Sequence, residues 1–101
     1  MKVSLICTGG LSTNWIVAKI KDYAKEHDQE IEIQAFGIAD YYPAVCDSDA
    51  VLLGPQIGYY QNEVQDKLGR EVGVITPADY ATANIGEILM AAKKLANKRS
   101  E

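Results

Sequence analysis

The chain has 101 residues, enough for one domain to bury a core of its own, and its composition of 48% hydrophobic and 24% charged residues excludes a disordered chain. A formal net charge of -4 without a basic stripe argues against nucleic acid as a partner. Apolar runs such as Val51 to Leu53 are too short to cross a bilayer, and no signal peptide is expected from the first residues. The two cysteines, Cys7 and Cys46, lack a Cys-x-x-Cys spacing, so a single reduced, cytoplasmic domain over residues 1–101 is expected.

In chain order, Val3-Ser4-Leu5-Ile6 predicts a short buried strand that ends in a loop. Ser12 or Thr13 can cap a helix whose apolar residues Ile16, Val17, Ile20, Tyr23 and Ala24 recur at helical spacing. Ile31 to Phe36 alternates apolar and polar residues and predicts a more exposed second strand, followed by a short helical turn over Asp40 to Val45. Ala50 to Leu53 predicts a third strand stopped by Gly54-Pro55. Ile57, Tyr60, Val64 and Leu68 then mark a helix that Gly69 can terminate. Val72 to Ile75 predicts a fourth strand, with Pro77 after it. Asn84 and Glu87 resemble a capping box at the head of a last helix through Ile85, Ile88, Leu89, Ala92 and Leu95. No internal repeat, low-complexity tract or linker interrupts this series.

Alternation of strands and helices at this spacing implies an α/β fold: an open four-stranded parallel sheet with right-handed crossovers and helices on both faces. The expected order is 2-1-3-4, a truncated flavodoxin-like arrangement. Such sheets bind ligands beyond the carboxyl ends of the strands at the switch point, here between the first and third strands. The loops that meet there are Cys7 to Thr13 and Gly54 to Tyr59.

The first of these loops, Cys7-Thr8-Gly9-Gly10-Leu11-Ser12-Thr13, leaves a strand and enters a helix. Gly9 and Gly10 permit positive φ, so successive backbone N–H groups can turn inward as an anion nest. The helix N-terminus adds partial positive charge, and Thr8, Ser12 and Thr13 supply hydroxyl donors. Such surroundings favour the thiolate of Cys7, the nucleophilic form, and can cradle a phosphoryl group on it. The bland alternative is an inert cysteine at a strand end followed by a plain turn and a cap; the glycines, hydroxyls and helix start together favour the phosphate loop.

A cysteine-dependent phosphatase would use a similar strand, loop and helix. That class has an arginine six residues after the cysteine, where this chain has Thr13, and no Lys or Arg occurs from Val3 to Ala18. Without a guanidinium on the equatorial oxygens, hydrolysis loses much of its transition-state stabilisation. A loop that holds phosphocysteine without hastening attack by water describes a relay. A non-catalytic receiver-like regulatory domain of similar topology would need acidic residues at the strand ends for Mg²⁺, whereas the first strand ends at Cys7 and the third at Gly54.

The chain resembles the IIB components of the lactose, cellobiose and diacetylchitobiose class of the bacterial phosphoenolpyruvate-dependent sugar phosphotransferase system. The resemblance covers essentially the whole chain. It rests on the Cys-x-x-Gly-x-Ser-Thr loop, matched by Cys7, Gly10, Ser12 and Thr13, and on Leu-Leu-Gly-Pro-Gln, matched by Leu52 to Gln56. Tyr59 stands where the family has a tyrosine, and Tyr80-Ala81-x-x-Asn84 is a looser match; Gly9 and Leu11 replace a usual small residue and a frequent Met. The resemblance implies a fold like that of low-molecular-weight tyrosine phosphatases. It implies that Cys7 takes phosphate from a phosphohistidine on a IIA protein and gives it to a sugar, such as a β-linked disaccharide, in a membrane IIC transporter. No cofactor or metal is implied for that step, and a monomer is expected.

Other residues carry two readings each. Gln56, with Gly54, Pro55 and Tyr59, falls near Cys7 by the switch-point argument, either supporting the phosphate loop or touching a partner. Cys46 reads as a packing or incidental residue, and His27 as a solvated helix-end residue rather than a phosphate donor or acceptor. Of the pairs Tyr41-Tyr42 and Tyr59-Tyr60, one member of each is expected to pack on the sheet and the other to lie at the rim, although stacking on a sugar is conceivable.

Overall fold

The computed structural model describes residues 1–8 and 14–100, with the side chains of residues 99 and 100 set aside. Four strands, β1 (Lys2–Cys7), β2 (Glu32–Gly37), β3 (Ala50–Leu53) and β4 (Gly73–Val74), form one sheet of order β2-β1-β3-β4. All three pairings are parallel, with Cys7 opposite Gly37, Ile6 opposite Leu53, and Leu53 opposite Val74. The helices are α1 (Asn14–Glu26), α2 (Gln61–Leu68), α3 (Pro77–Ala81) and α4 (Ile85–Ser100). Among the described residues, no helix is long and apolar enough to cross a membrane.

Period-two alternation along β1 divides the core. Val3 and Leu5 face one side, with Ile33, Ala50 and Leu52 of the neighbouring strands, and are covered by Ile16 and Ile20 of α1 and by Ile85, Ile88, Leu89 and Ala92 of α4. Ile6, Val51 and Leu53 face the other, under Val45, Ile57 and Val64. Helices therefore lie on both faces, as a parallel sheet buried on each side requires. Ser4 is the exception on the second face. It is fully buried and satisfied by a hydroxyl–hydroxyl hydrogen bond to Ser48, whose carbonyl accepts from Arg70 Nη1 at 2.6 Å.

Several elements differ in detail from the expectation. The turn predicted over Asp40 to Val45 is a 3-10 helix displaced to Ala44–Asp47. The helix after Gly54-Pro55 is two pieces, a 3-10 segment over Pro55–Tyr60 bent at Ile57 (φ -121°, ψ 23°) and then α2. Gly69 ends α2 in the left-handed region at φ 69°, where its N–H donates to Gln65 O at 2.8 Å. β4 has two residues rather than four, since only Leu52 and Leu53 pair with it. α3 is an added helix: Thr76 Oγ1 accepts from Asp79 N–H at 3.1 Å and Pro77 takes the first turn. Asn84, at the head of α4, is tied to that helix. Asn84 N–H donates to Asp79 O at 2.9 Å and Asn84 Nδ2 to Asp79 Oδ1 at 3.3 Å. The cap expected at Ser12 or Thr13 lies outside the described residues.

Candidate functional site

Cys7 is the last residue of β1 and almost wholly buried, at 1% exposure. Main chain holds it from both sides. Ile38 N–H donates to Cys7 O at 2.8 Å, and Gly54 N–H donates to Ile6 O at 2.9 Å, so β2 and β3 both follow β1 to its carboxyl end. The Cys7 thiol donates to Phe36 O at 3.5 Å. The cysteine thus sits at the carboxyl edge of the two central strands, at the switch point, with exposed Thr8 next and α1 starting at Asn14. Gly9, Gly10, Leu11, Ser12 and Thr13, the remainder of the expected phosphate loop, lie outside the described residues.

The second loop comes to the same edge. A Cβ on Gly54 would stand 2.9 Å from Gln56 Oε1 and 3.7 Å from Ile6 O, so the glycine leaves room for the Gln56 amide close to the end of β1. Gln56 thus lies near the strand end that carries Cys7. Pro55 opens the 3-10 segment and is half-buried. Tyr59 is the outlier: it is 77% exposed, and its ring leans on Tyr60 with centroids 4.6 Å apart, at the rim rather than at the thiol. Tyr60 and Tyr41 pack against the second core cluster, while Tyr42 is exposed. His27 Nδ1–H donates to Tyr23 O at 2.9 Å and the imidazole stacks on the Tyr23 ring, as an exposed residue just past α1. Cys46 is exposed in the 3-10 turn and is therefore no core-packing residue.

Two residues that sequence reasoning passed over also reach this edge. Gly37 pairs with Cys7 across the strands, and Asp40 folds back over it: a Cβ on Gly37 would lie 3.0 Å from Asp40 Oδ1. Thr8, Gly37 and Asp40 line one side groove of about 450 Å³ together with Ala35, Phe36, Ala39 and Ala44. Only the β1–β2 register brings these residues to Cys7. The one local signal was an acidic residue three positions after a strand-end glycine, which alone points to nothing. At the other rim, Trp15 at the start of α1 sets its ring edge-on to Tyr80, centroids 5.4 Å apart.

The arrangement places a cysteine sulfur at a strand end, with Thr8 next and α1 beginning at Asn14, which suits transfer of an anionic group. Comparison with known proteins agrees. Residues 2–97 match the family model described as "PTS system, Lactose/Cellobiose specific IIB subunit". The chain is 36% identical to the oligo-beta-mannoside-specific EIIB component of Bacillus subtilis strain 168, over 82% of this chain and 84% of that one. It is 32% identical to the galactose-specific EIIB component of Lactococcus lactis subsp. cremoris strain MG1363, over 94% and 95%. The solution structure of the cellobiose-specific phosphotransferase IIB component from Borrelia burgdorferi superposes with a TM-score of 0.80 at 29% identity, covering 97% of this chain and 93% of that one. The fold, the strand-end cysteine and these matches lead to one conclusion: the chain belongs to the lactose/cellobiose-specific IIB family, the phosphotransferase components of the sugar phosphotransferase system.

Proposed function

We propose that Cys7 is the phosphoryl carrier of this IIB component. It accepts the group from a phosphohistidine on a IIA protein and passes it to a sugar bound by a membrane IIC transporter. The observation that carries the reading is the place of Cys7, at the carboxyl end of β1 on the switch point of the 2-1-3-4 sheet. In the first step the sulfur attacks phosphorus. The S–P bond forms as the N–P bond breaks, and the imidazole nitrogen keeps the electron pair. In the second, a sugar hydroxyl oxygen attacks, the S–P bond breaks, sulfur leaves as thiolate and the hydroxyl gives up its proton. Neither step needs a metal or an organic cofactor from this chain. Its contribution is position and donors for the phosphoryl oxygens: Thr8 with the amides and hydroxyls of Gly9, Gly10, Leu11, Ser12 and Thr13.

Gly54, Pro55 and Gln56 form the neighbouring wall, with Gln56 near the strand end, and Tyr59 at the rim is offered to a partner. The relatives named for oligo-beta-mannoside and cellobiose support a β-linked disaccharide or related sugar as the final acceptor. The carrier works as a monomeric single domain in the cytoplasm, between IIA and IIC, without nucleic acid.

The deciding experiment supplies phosphoenolpyruvate, the general phosphotransferase proteins and a cognate IIA, and locates the phosphoryl group by mass spectrometry. One group is expected on Cys7. Cys7→Ser abolishes uptake, because a serine hydroxyl is not ionised at neutral pH, and Cys46→Ser leaves it intact. Full labelling of Cys7→Ala would overturn the proposal.

A further inference from the structure

We infer that Asp40 tunes how tightly this site holds its phosphoryl group, by placing a fixed negative charge beside it. The inference rests on the reading of Cys7 as the acceptor. Val3 and Leu5 point to the face covered by α1 and α4, and by alternation Cys7 shares that face. Their partners on β2 are Ile33, Ala35 and Gly37. The third of these has no side chain, and the Asp40 carboxylate takes the place one would fill, 3.0 Å from the position of a Cβ on Gly37. Neighbouring strands lie about 4.8 Å apart, so the carboxylate stands within about 10 Å of a phosphoryl group on Cys7. Asp40 and Thr8 line the same groove, with no other charged residue among the lining residues.

Among the described residues Asp40 has no hydrogen bond or ion pair through its side chain. Lys67, the cation on the adjoining helix, sits over the Tyr41 and Tyr42 rings at 5.8 and 4.9 Å. A phosphoryl group carries close to two negative charges at neutral pH. Coulomb repulsion over that distance in water-like surroundings lowers the equilibrium constant for phosphorylation by about 3- to 10-fold at low ionic strength. It fades once the Debye length falls below the separation. The effect suits a relay, which has to release the group as readily as it takes it.

The test measures the equilibrium between phosphorylated IIA and this chain, at low salt and at about 0.5 M salt, for wild type, Asp40→Asn and Asp40→Glu. Asp40 is exposed in a turn, so the variants keep the fold, which circular dichroism verifies. The expected result is an equilibrium shifted about 3- to 10-fold toward the phosphorylated chain for Asp40→Asn at low salt, and much less at high salt. Asp40→Glu, which keeps the charge, stays near wild type. An unshifted Asp40→Asn equilibrium, a shift independent of salt, or Asp40→Glu behaving like Asp40→Asn would overturn the inference. A Cys7→Ala control separates the two claims. Labelling that survives in it defeats the acceptor reading and this inference together, whereas labelling confined to Cys7 with an unmoved Asp40→Asn equilibrium defeats this inference alone.

Discussion

Tyr41 shows how a single side chain ties the second core cluster to solution conditions. Its ring is buried against Val45, Ile57 and their neighbours, at 6% exposure. Burial, and after it the negative fields of Glu63 and Cys46, hold the phenol above its ordinary value of 10.0. A folded value above the unfolded one means that the neutral ring contributes stability that is fully present below about pH 10 and is lost as pH rises through the folded value. Tyr41→Phe removes the ionisable group while keeping the ring. The variant is therefore expected to lose less stability than wild type between about pH 9 and 12, followed by denaturant unfolding at each pH. Matching alkaline profiles for the two proteins would show that Tyr41 ionises as freely in the fold as outside it.

At the scale of elements, α3 offers the sharpest test, because five residues form a helix only with help from outside the helix. Thr76 supplies it by accepting from Asp79 N–H, and Pro77 is preset for a first turn. Thr76→Ala is expected to lower the unfolding free energy by about 1 kcal/mol, read as a shift in the denaturant midpoint at unchanged slope. No change in midpoint would mean that α3 is held by Tyr80 packing alone. Thr76-Pro77-Ala78-Asp79 carries a full start signal, and the proline that follows the expected strand is the first residue of this helix. β3 was legible residue for residue, since a strand buried on both faces has to be a continuous apolar run. β4 was overextended because strand length depends on the partner, and Leu52 and Leu53 leave pairing for two residues only. Cys7, Gly54 and Gln56 were legible as neighbours because strand order fixes the switch point. Gly37 and Asp40 were not, because their approach to Cys7 depends on the register between β1 and β2, which no local pattern encodes.

Over the whole molecule, the chemistry proposed for Cys7 lies at the carboxyl edge of the sheet, and two apolar clusters lie behind it. The first cluster joins β1, β2 and β3 to α1 and α4 through side chains such as Leu5, Ile16, Leu52 and Leu89, each at most 2% exposed. Interiors packed to this degree do not deform continuously, so a new charge at the edge has no route into them short of unfolding. Phosphorylation of Cys7 is thus expected to act locally, through charge-assisted hydrogen bonds near the sulfur and the field felt by adjacent main chain. In amide chemical shifts, the changes should fall on Thr8, on Gly37 to Asp40 and on Gly54 to Tyr59, which share that edge through strand pairing and the nearness of Gln56 to it. The amides of α4 from Ile85 to Leu95 should stay in place, since Ile88, Leu89 and Ala92 pack on strand residues well inside the sheet. A local response also suits a protein that meets two partners in turn, because each then finds the same surface around a changed centre. Shifts spread along α4 would show instead that phosphorylation switches the packing of the whole domain, the behaviour of a regulatory receiver rather than of a carrier.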